Sequence, residues 1–336
     1  RPCLKTLVLP DPLFRNHPFH SKTPIPLHSF QAPQLTPSVP ALLWAWMWAD
    51  AMNPYVQLVR DHARWIREGR SAPLGGFPPA TRPVHAPDAP VILIFSPHPD
   101  DECIVGGLPL RLQRENGWRV INVAVTQGSR RDRQAERLVE LRGACDHLGF
   151  GLETIGGHGL EQVTPHARSH DPAAWSAKVA PIAEILQRLQ PRAILFPHEQ
   201  DWNGSHIGVH HLVLDALAQL GPDFSTHLVE TEFWGQNYHP NLLVEIPEPI
   251  LADLITALTF HVGEVRRNPY HLTLPAWMTN NVRLGGETVG GQGAAPPDFP
   301  FGTVYRLRRW SSNAVAEVYS GGRVVTATDN PAALFA

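Results

Sequence analysis

Only three cysteines occur in 336 residues, Cys3, Cys103 and Cys145, and they form neither a CxxC pair nor an even-numbered set. No disulfide framework is therefore expected, and a reducing, cytoplasmic setting is the natural one. A surplus of positive charge is also missing. Lys and Arg number 28 against 31 Asp and Glu, for a net charge of −3, so a dedicated nucleic-acid binder is not expected. No apolar run spans a bilayer: residues 41–49 reach about half the length a spanning helix needs. That run also sits behind a proline-rich tract, too far along to be an ordinary signal peptide, so stable membrane insertion is not expected. No GxGxxG occurs, which counts against a nucleotide-binding transferase or dehydrogenase. No internal repeat is visible.

What is present suits a globular enzyme. Hydrophobic residues make up 43% of the chain, enough for a sizeable core. The 18 histidines are mostly scattered, and a surface role is the default for any one of them. Residues 1–51 read as an irregular N-terminal extension rich in Pro, Ser and His. The sequence opens on Arg1, and Met52 is the expected natural start. A helix over 54–68 and a Pro/Gly linker over 71–90 make up a 52–90 segment, and the main domain is expected over 91–320.

From residue 91 strand and helix signals alternate. Strands are expected at 91–96, 119–126, 152–155, 193–196 and 227–232, and helices at 104–115, 132–148, 174–189 and 206–220. Past 233 the pattern loosens to a helix over 251–262, a long Gly/Pro-rich loop over 284–302 and a late strand over 305–310. The β-α-β-α order predicts an α/β fold with a Rossmann-like doubly wound, mostly parallel sheet and helices on both faces. Ligands bind such sheets at the carboxyl ends of the strands. Residues 97–102, 127–133, 157–170 and 197–206 all follow strands and should crowd one edge.

Two of these segments carry chemistry. After the apolar strand Val91–Ser96 come Pro97-His98-Pro99-Asp100-Asp101-Glu102, one imidazole and three carboxylates in five positions. Burying that much negative charge is costly unless a cation neutralises it. His and Asp at close spacing suit zinc. Asp caps at a polar turn need one such side chain, not four. The second segment is Asp201-Trp202-Asn203-Gly204-Ser205-His206, followed by His210 one helical turn beyond His206. One imidazole from here would complete a His/Asp/His site with a position left open for water.

These motifs, with Arg137, Glu140, Leu141, Ala144 and Gly149, resemble the PIG-L/LmbE-like family of zinc-dependent N-acetylglucosaminyl deacetylases. The resemblance covers roughly 90–220 and is looser through 230–234, His261 and 305–309. It implies a metal-dependent hydrolase that removes an N-acyl group, expected to be acetyl, from an aminosugar or glycoconjugate. It makes His98, Asp101 and His206 the ligands of Zn2+ or another divalent ion, Asp100 the general base and Arg137 a sugar contact. Where relatives carry a histidine three residues before the ligand, this chain has Asn203, placed here as a substrate contact. His210 is then the expected catalytic acid, and Glu102 could orient a ligand. Arg137 reads equally as a solvated helix charge. Trp202, Phe233, Trp234 and Tyr238 read as core aromatics more readily than as a sugar platform. A thiol-sugar conjugate amidase and a non-catalytic sugar-binding relative stay open, as does self-association.

Overall fold

The computed structural model describes residues 53–79 and 84–336. The expectations for 1–51 and for a start at Met52 lie outside them. Val59–Ala336 forms a compact unit, and the sheet described below belongs to it. A helix runs Tyr55–Gly69, where one was expected.

The strands are β1 (Val91–Ser96), β2 (Arg119–Ala124), β3 (Gly151–Thr154), β4 (Ala193–Pro197), β5 (Thr226–Thr231), β6 (Leu242–Glu245), β7 (Gly302–Ser311), β8 (Ala314–Glu317) and β9 (Arg323–Val325). They form one mixed sheet in the order β3-β2-β1-β4-β5-β7-β6-β9, with β8 paired to β7. Strands β3, β2, β1, β4 and β5 are parallel, and β7 runs antiparallel to both β5 and β6. The expected doubly wound, mostly parallel sheet is thus observed.

Strand β1 is apolar at nearly every position because both of its faces are covered. Val91, Leu93 and Phe95 point into one core, Ile92 and Ile94 into the other. On the first side the helices Pro172–Leu189 and Gly204–Leu217 supply Val179, Ile182, Leu186, Val209 and Leu212. On the second the helices Gly107–Asn116, Gln134–Leu148 and Glu248–Leu258 supply Leu108, Leu112, Leu141, Leu148 and Leu254. From β1 the chain turns to β2 and β3 on one side. From β4 it turns to β5 on the other. The adjacent strands β1 and β4 therefore bound a switch point, where the carboxyl-end loops part and leave a crevice.

Several elements differ from expectation. The helix expected over 104–115 is two helices, Asp101–Ile104 and Gly107–Asn116. At the break a Cβ on Gly106 would lie 2.2 Å from the Glu102 carbonyl oxygen, so only glycine fits there. The loop expected over 284–302 is helical in its first part, because the helix Leu274–Gly290 runs through it. Its glycines serve packing: a Cβ on Gly285 would meet Leu243 Cδ2 at 2.9 Å, and one on Gly286 would meet Pro296 Cα at 2.7 Å. Past residue 320, β9 pairs with β6, and Phe335 is buried in the core. Among the described residues no helix is long and apolar enough to cross a membrane.

Candidate active site

The turn after β1 and the loop after β4 meet at the switch point. Donor atoms of His98, Asp101 and His206 all lie within 4.8 Å of one another. Asp101 stands 3.8 Å from His98 Nδ1 through Oδ2 and 3.7 Å from His206 Nε2 through Oδ1. The His98 and His206 rings are 5.3 Å apart. Asp101 and His206 are buried, and His98 remains about one-fifth exposed toward a cavity.

These residues fit a cation. Asp101 Oδ1 and both ring nitrogens of His206 are buried without a hydrogen-bond partner, which is costly unless something is bound there. Burial, chiefly, holds the His98 imidazole down to about 4 and that of His206 down to about 2, with Arg137 adding to the first and His98 to the second. Both are therefore neutral near pH 7, with the lone pair a metal requires. Burial, then Asp100, Glu102 and Asp201, push the Asp101 carboxyl well above the usual range. A divalent ion among the three would reverse that penalty. Asp201 lies behind His206, its Oδ2 3.6 Å from Nδ1, and accepts from Asn203 N, Trp234 N and Gly235 N. A carboxylate on the far side of a ligating imidazole fixes which nitrogen faces the ion.

Asp100 sits beside this set in a strained backbone conformation, φ 122°. Glu102 Oε2 accepts from its backbone N–H at 3.0 Å. Its own Oδ2 accepts from the Tyr270 hydroxyl and lies 3.9 Å from Arg137 Nη2. Burial raises its carboxyl to about 6 against the pull of His261 and Arg137. Behind it Glu102 and His261, both fully buried, are joined at 2.7 Å. Glu102, Cys103 and His261 also converge, but hydrogen bonds from His261 and Cys103 to Glu102 explain that cluster without an ion.

The other expected residues are placed as follows. Arg137 donates to the Pro99 carbonyl at 2.9 Å, so it braces the His98–Asp101 turn. Asn203 is the N-cap of the helix Gly204–Leu217, its Oδ1 accepting from Ser205 N at 2.8 Å, and it lines the cavity with His98. His210 contacts the Pro197 carbonyl through Nδ1 at 2.9 Å and packs on Phe196 and His211. Glu230 lies 3.7 Å away, and none of these contacts is to His98, Asp101 or His206. The cavity beside His98 has a volume of about 480 Å3 and a mixed polar and apolar surface, with Gln134, Glu161, Thr164 and Ser205 among its walls. That volume suits a small organic ligand such as a sugar.

Two residues against Asp100 and Glu102 went unassigned in the sequence reading. Tyr270 gave no signal, being 170 positions from Asp100 and in no recognisable motif. His261 carries only a loose resemblance to the family. The helix expected from 206 starts instead at Gly204, so the cap role of Asn203 is shown by the structure alone.

Comparison with known proteins follows the same segment of chain. Residues 93–217 match the family described as PIG-L, GlcNAc-PI de-N-acetylase. The resemblance carried by His98–Asp101 and His206 is therefore met by the family's own pattern over the residues that build the site. No curated protein sequence matches the chain. Among solved structures, the N,N'-diacetylchitobiose deacetylase of Pyrococcus horikoshii is similar at 18% identity and TM-score 0.48, over 66% of this chain and 84% of that one. The A40926 pseudoaglycone deacetylase Dbv21 is similar at 16% identity and TM-score 0.49, over 67% and 99%. The 4-carboxy-2-hydroxymuconate hydratase GalB of Pseudomonas putida KT2440 also stands at 16% and 0.49, over 65% and 95%.

Proposed function

We propose that this protein is a metal-dependent hydrolase that removes an N-acyl group from an aminosugar-containing substrate. The observation that carries the reading is the convergence of His98, Asp101 and His206, with buried donor atoms lacking partners, beside the strained Asp100. The match of residues 93–217 to a de-N-acetylase family supports the same chemistry. A cytoplasmic setting is part of the proposal and rests on cysteine usage.

His98, Asp101 and His206 would hold the ion. Zinc suits this nitrogen and oxygen set, and other divalent ions fit it too. When bound, such an ion supplies Lewis acidity, polarising an amide carbonyl and making water nucleophilic near neutral pH. Asp100 takes a proton from the attacking water. Tyr270 and Arg137 both lie on Oδ2, so Oδ1 is the receiving atom. Water oxygen joins the acyl carbon, the C–N bond breaks, and the amine leaves with a proton.

Asp100 itself returns that proton in this reading. His210 is poorly placed for it: a carbonyl only accepts, so in the neutral ring Nδ1–H donates to Pro197, leaving Nε2 with a lone pair and no proton. Donation from His210 needs the imidazolium, which burial disfavours by holding the group down to about 4. Asn203 and Ser205 on the cavity wall offer hydrogen bonds to sugar hydroxyls.

The test is metal analysis of the purified protein, then amine release across a panel of N-acyl aminosugars. Bound metal, and activity lost to a chelator and restored by zinc, are expected. A protein that holds no divalent ion and frees no amine overturns the proposal. His206→Ala should lower metal content; full occupancy in that variant would remove His206 from the ligand set.

A further inference from the structure

We infer that the acyl group released is an apolar chain or ring of about six carbons, larger than acetyl, seated in an aromatic pocket beside Asp100. The inference rests on the hydrolase reading above and names its substrate more closely. The pocket encloses about 160 Å3 and is walled by Ile104, Phe233, Trp234, Tyr270, Leu274 and Trp277. Two of these walls also touch the site. The Phe233 ring stands 4.9 Å from that of His206, and the Tyr270 hydroxyl donates to Asp100 Oδ2. An apolar group in the pocket therefore lies next to whatever carbonyl faces the His98–Asp101–His206 cluster.

Size and polarity choose the occupant. An apolar cavity of about 150 Å3 holds a benzene molecule, and the methyl of an acetyl group would leave most of this pocket empty. One wall is tied down: the Trp277 side chain bonds Glu232, which also accepts from Asn237 N at 2.8 Å. The cavity beside His98, in contrast, has a mixed surface on which Asn203, Ser205 and Glu161 offer polar groups. An N-acyl aminosugar has one polar and one apolar substituent on its amide. The sugar matches the cavity at His98 and the acyl chain matches the aromatic pocket.

The experiment uses the full chain loaded with zinc. It compares N-acetyl-, N-hexanoyl- and N-benzoylglucosamine with the hexyl glycoside of N-acetylglucosamine. The hexanoyl or benzoyl substrate is expected to exceed the acetyl one in kcat/KM by about tenfold or more, since each buried methylene adds favourable transfer energy. Thr273 also lines the pocket, and its hydroxyl donates to the Tyr270 carbonyl at 3.3 Å. Thr273→Trp should abolish the long-chain advantage, bringing kcat/KM for the hexanoyl and benzoyl substrates down to or below that for the acetyl one in the same variant. An unchanged advantage in that variant overturns the pocket assignment. Acetyl turnover equal to or above the others overturns this inference and leaves the hydrolase reading standing. A gain confined to the hexyl glycoside assigns the pocket to the aglycone and likewise overturns it. Amine release from none of the four defeats both readings. The wild-type comparison decides whether or not the variant folds.

Discussion

Asp100 is held at φ 122°, a conformation costing about 1–3 kcal/mol for a residue with a side chain. The surroundings that enforce it are Glu102 on its backbone N–H, and Tyr270 and Arg137 at its carboxylate. Asp100→Asn should keep the metal and lose about 100-fold or more in kcat, the range of a lost general base. Metal content and amine release measured on one preparation check this. Tyr270→Phe leaves the carboxylate but frees it to turn; a drop of about tenfold in kcat with unchanged metal content is expected. The Glu102–His261 pair gives a pH signature. Burial opposes both charges, yet His261 draws the Glu102 carboxyl net below its ordinary 4.5, and Glu102 draws the His261 imidazole net above its ordinary 6.5. The carboxylate's contribution is complete above 4.5 and fades as pH falls through its lowered value. The imidazole's contribution is complete below 6.5 and fades as pH rises through its raised value. His261→Ala should cost about 3–5 kcal/mol. In thermal melts across pH, the gap from wild type should be widest between 4.5 and 6.5 and narrow on both sides.

Two local features hold the proposed ligands in place. Asn203 starts the helix that carries His206 three positions later, and its side chain satisfies Ser205 N. Asn203→Ala should destabilise by about 1 kcal/mol, whereas Asn203→Asp should keep the cap. Urea unfolding of the two variants separates these outcomes. At the other ligand loop, Gly106 allows the chain to break between Asp101–Ile104 and Gly107–Asn116. Gly106→Ala places Cβ 2.2 Å from the Glu102 carbonyl oxygen, a backbone atom that does not move without shifting the Asp100 turn. A loss of about 1–3 kcal/mol, accompanied by weaker metal retention, is expected from overpacking.

At the scale of the whole molecule, the last residues close the sheet on the side away from β3. Strand β9 extends it beyond β6, and the fully buried Arg111 donates to the carbonyls of Glu245, Thr326 and Asp329. Arg192 donates to the carbonyl of the buried Phe335. Removing residues 321–336 would bare β6 as an edge strand and strip Arg111 of two acceptors. The truncated chain should unfold at lower denaturant and aggregate more readily than the full chain, read by light scattering during the titration.

The amino-acid sequence by itself determined the parallel half of the sheet and put forward the proposed ligand set. Doubly buried strands such as Val91–Ser96 are apolar at nearly every position, a local pattern, and His98, Asp100 and Asp101 are neighbours whose charge density shows without coordinates. His206 is singled out by the resemblance of Asp201–His206 to the family motif; the order of strands by itself places only the loops after β1 and β4 at one edge. Only the tertiary structure decided what stands behind those groups. Tyr270 reaches Asp100 across 170 positions and His261 reaches Glu102 across 159, pairings that no spacing rule encodes. The same holds for His210, whose spacing from His206 is helical but whose bonding nitrogen was set by the end of β4. Strand and motif signals are local, whereas the partners of a buried polar group are fixed only when distant segments pack.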